Sequence, residues 1–146
     1  MTDAAGAASA PSLGVGLIVT AVGGAAGAVA RWSLTVAVPV GAGGFPWTIL
    51  LINVAGSGLL AALPLSRAVA RRPWLTLLLG TGVLGGFTTM SAASTDTFAL
   101  VDGGHPGLAI GYCGGTVAAA LLAVVCVQRL SRPTSASVSR REDPAP

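Results

Sequence analysis

Lysine is absent from this chain, and charge of either sign is scarce. Only 9% of its 146 residues are charged, where a soluble domain carries about a quarter. The positive charge is all arginine, at positions 31, 67, 71, 72, 129, 132, 140 and 141. Most of these residues flank apolar runs, which argues against a nucleic-acid footprint. There is one histidine, His105, and there are two cysteines, Cys113 and Cys126. The cysteines lie thirteen positions apart in one apolar run, so on a single helix they cannot bridge to each other. No CxxC or Cys/His cluster exists, which removes a disulfide framework and a structural zinc site. We expect both thiols to be small buried hydrophobes. No nucleophile–base pair can be assembled either, so the chain is not read as an enzyme.

What it has is hydrophobic length. Hydrophobic residues make up 53% of the chain, and the mean hydropathy is +0.79. Charge is absent between Arg31 and Arg67, between Arg72 and Asp96, and between Asp102 and Arg129 apart from His105. A helix needs roughly 20 apolar residues to cross the hydrocarbon core. The pattern therefore predicts an all-α membrane protein with four transmembrane helices, at about Leu13–Val38, Pro46–Ser66, Pro73–Leu100 and Pro106–Leu130. Pro46 suits a first helical turn, and Pro39 with its following glycines ends the first helix. Residues 1–12 and 131–146 are poor in core-forming side chains and read as disordered tails around a 13–130 transmembrane domain. The N-terminal stretch lacks the basic region of a signal peptide.

Small residues crowd the first helix, where Gly23, Gly24, Gly27 and Ala28 form overlapping small-xxx-small patterns. Such patterns let helix backbones approach closely in lipid. Gly56 and Gly58 in the second helix, with Gly114 and Gly115 in the fourth, extend the expectation of a tight bundle. Charge supplies orientation. With four spans, both termini share a side with the second-to-third connection, and that side holds every arginine except Arg31. The opposite connections hold only Asp96, Asp102 and His105. By the positive-inside rule the termini are cytoplasmic.

Three features stand out against this background. Arg31 lies inside a span, where an arginine is costly unless it faces water or an anion, or snorkels to the headgroups. Asn53 offers amide donors at membrane depth and needs a partner, whether a neighbouring helix or a permeant species. The stretch "GGFTTMSAAST" (Gly85 to Thr95) puts glycines and hydroxyls where a membrane helix would carry Leu, Ile and Val. Glycines loosen a helix, and freed carbonyls are tolerated only where protein, water or an ion satisfies them. We therefore expect the third helix to be broken near its middle. The six hydroxyls between Thr88 and Thr97 exceed what bonding back to their own helix comfortably explains. The match of Gly80–Gly85 to GxGxxG is accidental, because that fingerprint requires a preceding strand and an aqueous helix terminus. His105, beside Pro106, reads as a solvated loop residue.

Four segments resemble the CrcB/Fluc family of fluoride channels. "GGAAGAVARW" (Gly23 to Trp32) is similar to the first-helix GxxxGAxxR(Y/F) pattern. "FPWTILLINVAGS" (Phe45 to Ser57) is similar to FPWGTLLVNxxGS. "GTGVLGGFTTMSAASTD" (Gly80 to Asp96) is similar to GxxGGFTTFSTFSxE, and Tyr112 with Thr116 is similar to a fourth-helix Tyr and Ser spaced by four. The resemblance implies four-helix subunits paired antiparallel across the membrane, with narrow fluoride pores. It also implies a structural Na+ at the dimer interface, held by backbone carbonyls that would fall at Gly85 and Thr88. The fluoride pathway would involve Asn53, Ser91, Tyr112 and Thr116, with Arg31 near the aqueous vestibule. Such a channel resides in the cell's inner (plasma) membrane and lowers fluoride toxicity by passive export.

The chain departs from this pattern in the pore. The paired phenylalanines of TTFSTF fall on Met90 and Ala93. The threonine of FPWGT falls on Ile49, although neighbouring Thr48 is polar, and the small or hydroxyl position four after Thr116 is Ala120. The Gly85–Thr89 segment is intact. A single chain forming an antiparallel homodimer must insert both ways, which calls for weak charge bias, and the bias here is strong. The expectation is a heterodimer with a homologous subunit that keeps the phenylalanines. Two rivals remain: a non-conducting structural subunit, and a small four-helix multidrug transporter. The latter needs a carboxylate in its first helix, and Leu13–Val38 has none.

Overall fold

The computed structural model describes residues 11–41 and 44–131. The expectation of disordered tails over residues 1–12 and 131–146 lies outside that range except at residues 11, 12 and 131. Among the described residues four helices are long and apolar enough to span a bilayer: Leu13–Ala37, Trp47–Leu65, Pro73–Asp102 and Pro106–Leu130. Each agrees with the sequence-based boundaries to within a residue or two. Pro46 precedes the second helix rather than opening it, and buries its own ring. The last turn of that helix tightens to a 3₁₀ turn over Leu63–Leu65. A short helix, Arg67–Ala70, follows in the connection and buries Val69 while its arginine stays exposed. Its four residues are too few to show a hydrophobic period, so the sequence carried no sign of it.

The third span is the irregular one. It begins as an α-turn at Pro73–Thr76, widens to π-winding over Leu77–Leu84, and returns to α at Gly85–Phe87. Thr88 (φ −77°, ψ 152°) and Thr89 (φ −156°, ψ 124°) are extended, and a new helix runs over Met90–Asp102. The break thus falls on the two threonines; the glycines before it remain helical. Those glycines serve close packing instead. A Cβ on Gly86 would run into the Gly24 backbone, and one on Gly27 into the Val83 carbonyl. The Cα of Gly82 lies 3.0 Å from where a Cβ on Gly23 would sit.

Breaking the span lets its two halves choose different neighbours. The π-wound half lies along the first helix, while Met90–Asp102 lies along the fourth, which also packs on the second. The buried core of Ile49, Ile52, Ala93, Leu100, Ala109 and Tyr112 forms where the second, third and fourth spans meet. Three residues, Gly103, the positive-φ Gly104 (φ 80°) and His105, turn the chain from the third to the fourth span. Leu17, Ile18, Val22, Trp32, Phe98, Ile110, Leu121 and Leu122 are exposed on the outside of the bundle. Such a surface suits lipid, where apolar groups carry no exposure penalty. Cys113 and Cys126 lie on this outside too, so they are exposed where burial was expected. Gly114 and Gly115 have open space around them, so the tight packing expected there is confined to the first, second and third helices.

Candidate functional site

The site is built around the break. Asn53, 6% exposed on the second span, pairs with Thr89 through both ends of its amide. Its Oδ1 accepts from the Thr89 N–H at 2.8 Å, and its Nδ2 donates to the Thr89 carbonyl at 3.0 Å. One turn further, Gly56 makes room for Thr88, whose methyl a Cβ at position 56 would strike. Together they give the extended Thr88–Thr89 pair a fitted seat. Burying non-helical backbone at membrane depth requires such satisfaction, since an orphaned peptide group costs several kcal/mol there (~2–7).

In a continuous helix the Thr89 N–H would bond the Gly85 carbonyl. Here that N–H is turned to Asn53, so the Gly85 carbonyl is left without its helical donor. The Thr88 carbonyl belongs to extended backbone. The neighbouring Gly86 carbonyl accepts from Arg31 Nε at 3.3 Å. Arg31 is therefore half-buried against backbone inside the bundle rather than stretched to a headgroup. Neutral peptide oxygens suit a small desolvated cation, and Gly85 and Thr88 are the residues that would hold the sodium ion implied by the resemblance. Gly85 is exposed, and a Cβ there would meet nothing closer than 3.8 Å within the chain. Among the described residues no cluster of His, Cys, Asp and Glu could hold a metal ion.

Beside the break lies a cavity of about 280 Å³, lined by Asn53, Ser57, Thr88, Thr89, Met90, Thr116, Val117, Ala120 and Leu121. It gathers Asn53, Thr88, Thr116, Met90 and Ala120 from three spans. Tyr112 sits one turn from Thr116 and accepts its hydroxyl proton on the backbone carbonyl at 2.7 Å. Fully buried, Tyr112 donates its own hydroxyl to Asp96 Oδ2 at 3.1 Å. Its ring meets Phe45 edge-on, with centroids 5.5 Å apart. Asp96 is thus inside the third span and bonded to the fourth, whereas the sequence placed it near a connection. The other candidates lie elsewhere. Ile49 and Ala93 are in the core, and Thr48 ties down the first connection by donating to the Val38 carbonyl at 2.9 Å. Ser91 is exposed and shares a 3.0 Å hydroxyl bond with Thr89.

The hydroxyl-rich run is fully occupied locally. Thr88, Ser94, Thr95 and Thr97 donate to carbonyls one turn back, at Leu84, Met90, Ser91 and Ala93. Thr89 caps the Met90–Asp102 helix by accepting from the Ala92 N–H at 3.2 Å. Their number is therefore explained within this subunit by back-bonding and capping, contrary to the expectation from the sequence. The cavity also contains Ser57 and Thr89, which sequence reasoning did not single out. Ser57 stands four residues after Asn53, on the same helix face, and that spacing was a usable signal.

The chain is similar in sequence to known proteins over most of its length. The family described as CrcB-like protein, Camphor Resistance (CrcB) matches residues 18–127. A Streptomyces avermitilis protein named fluoride-specific ion channel FluC 2 is 42% identical over 107 residues, covering 68% of this chain and 64% of that protein, just under two thirds of its length. The protein named fluoride-specific ion channel FluC 1 of Halobacterium salinarum is 43% identical over 107 residues (73% of this chain, 86% of its own). A Thermus thermophilus protein named fluoride-specific ion channel FluC is 41% identical over 115 residues (77% and 91%). The family match includes most of the first and fourth spans and all of the second and third, with the broken segment that organises them, and the chain belongs to the CrcB/Fluc family.

Proposed function

We propose that this chain is a subunit of a fluoride-specific ion channel that lets fluoride leave the cytoplasm passively. It works beside a homologous subunit in the opposite orientation, and a structural Na+ lies between them. The observation that carries the reading is the break at Thr88–Thr89, clamped by Asn53 and opening onto a cavity shared with Thr116. Extended backbone at membrane depth has to be covered by protein or line a wet path, and here one side of it faces the cavity. Fluoride is small and tightly hydrated, so a path must offer donors in place of its water. An amide carries two N–H donors, and only one of Asn53's is spent on Thr89. The hydroxyls of Thr116 and Thr88 can rotate toward the cavity from their present partners. None of these groups carries a full positive charge that would trap the ion. Fluoride enters cells as HF and leaves as the anion, so a passive path suffices.

The second subunit is inferred from charge and from the pore. Arg67, Arg71, Arg72 and Arg129 all sit on one side, which favours a single orientation with cytoplasmic termini in the plasma membrane. An antiparallel pair then requires an oppositely biased chain. That chain would supply the aromatic edges missing at Met90 and Ala93, since a ring edge is electropositive and suits an anion. A second reading is a non-conducting structural subunit. It is favoured by the protons of Thr88, Thr116 and Tyr112 all being engaged within the chain.

Fluoride efflux from liposomes separates these readings. The chain alone is expected to be silent, and flux should appear when a homologous subunit is reconstituted with it. Flux from the chain alone would overturn the heterodimer. A pair that demonstrably assembles, yet carries no more flux than the homologous subunit alone, would leave the structural reading.

A further inference from the structure

We infer that Asn53 is a positioning residue for the cation site as well as part of the anion cavity, so that one side chain couples the two. The inference rests on the channel reading above and deepens it. Three observations converge on the second span. Asn53 pairs with both the backbone N–H and the carbonyl of Thr89, at 2.8 and 3.0 Å, as a neighbouring β-strand would. Gly56 provides the space into which Thr88 settles. Thr89, held there, turns its hydroxyl to cap the next helix at Ala92.

The consequence falls on Gly85. A helix carbonyl is available to an ion only if its own donor is withdrawn, and the donor of the Gly85 carbonyl is the Thr89 N–H. Asn53 withdraws it. Without Asn53 the Thr89 N–H would be a buried orphan, which is strongly disfavoured. The cheapest repair is to close the helix back onto Gly85. Removing the amide should therefore fill the carbonyl that the cation would use, even though Asn53 itself is no ligand. One residue on, the Gly86 carbonyl is instead occupied by Arg31. That leaves Gly85, and not Gly86, open to an ion.

The test needs no fluoride to pass, so its failure and that of the channel reading can be told apart. Full-length protein is reconstituted with its homologous subunit, and thermal unfolding is compared in sodium and in choline. Sodium should raise the melting temperature of the wild-type pair and leave that of Asn53→Ala unchanged. Thr116→Val, which alters the same cavity without touching Thr89, should retain the sodium response while lowering flux. If Asn53→Ala keeps the sodium response, or the wild type has none, the inference is overturned. Should the variant fail to fold, hydrogen exchange on the wild type decides. The Thr89 amide should exchange at least about tenfold more slowly in sodium than in choline, roughly the worth of one net hydrogen bond. Equal exchange in the two salts would overturn the inference.

Discussion

The two halves of the third span have almost opposite designs. Leu77–Phe87 is glycine-rich and mostly π-wound, and it is pressed so closely on the first helix that neither Gly27 nor Gly86 leaves room for a methyl group. Met90–Asp102 is an ordinary α-helix with hydroxyls bonded to its own carbonyls, resting on the fourth span through Ala93, Leu100 and the Asp96–Tyr112 bond. The first half relies on backbone contact and the second on side chains. That difference assigns them separate tasks in our account, backbone oxygens for a cation and a side-chain-lined cavity for an anion, with Asn53 at the joint.

The comparison can be broken by substitution, most severely in the first half. Gly86→Ala places a methyl against the Gly24 backbone, which cannot rotate aside. It should cost about 3 kcal/mol or more, beyond the usual range for overpacking, and appear as loss of the folded peak in size-exclusion chromatography. In the second half the family phenylalanine positions should behave unequally. Ala93 is 6% exposed within the core and Met90 is 63% exposed beside the cavity. Ala93→Phe should therefore lower stability by about 1–3 kcal/mol, whereas Met90→Phe should cost less than about 1.5 kcal/mol and raise flux in the paired channel. Equal thermal shifts for the two would contradict the placement of Ala93.

Smaller effects sharpen the picture. Asp96→Ala strands the fully buried Tyr112 hydroxyl and should cost about 1–3 kcal/mol, with Tyr112→Phe milder because the acceptor it leaves behind, Asp96, is only half-buried. Thermal unfolding of the two variants checks the order. Thr95→Val, which removes a hydroxyl bonded only to Ser91 of its own helix, should change stability by no more than about 0.5 kcal/mol. A large loss there would show that a partner subunit uses that hydroxyl.

The spans and their ends were readable from hydropathy, because charge-free length and Pro or Gly at the boundaries are local signals. The existence of the break was readable as well, though its place was not. Glycine suggested flexibility at 85 and 86, but those residues are held helical by the first helix, and that contact spans 55 or more positions of sequence. The extended residues are threonines, set by Asn53 from 36 positions away. Asn53 itself was visible as a polar residue needing a partner, and only the fold reveals that partner as Thr89. Asp96 was misplaced for a similar reason. A carboxylate near the end of an apolar run reads as a boundary, and here Tyr112 allows it to remain inside the helix.

The central claim is that the break directs the anion path past residue 90 and leaves residue 93 in the core. It is tested most directly by thiol labelling in the reconstituted pair, with Cys113 and Cys126 replaced by serine. Cysteine is introduced at Met90 or at Ala93, and fluoride flux is recorded before and after a small methanethiosulfonate reagent. The account predicts that labelling of Met90→Cys abolishes flux through this subunit's path, and that Ala93→Cys resists labelling and keeps its flux. Flux insensitive to modification at 90, with block at 93, would contradict it.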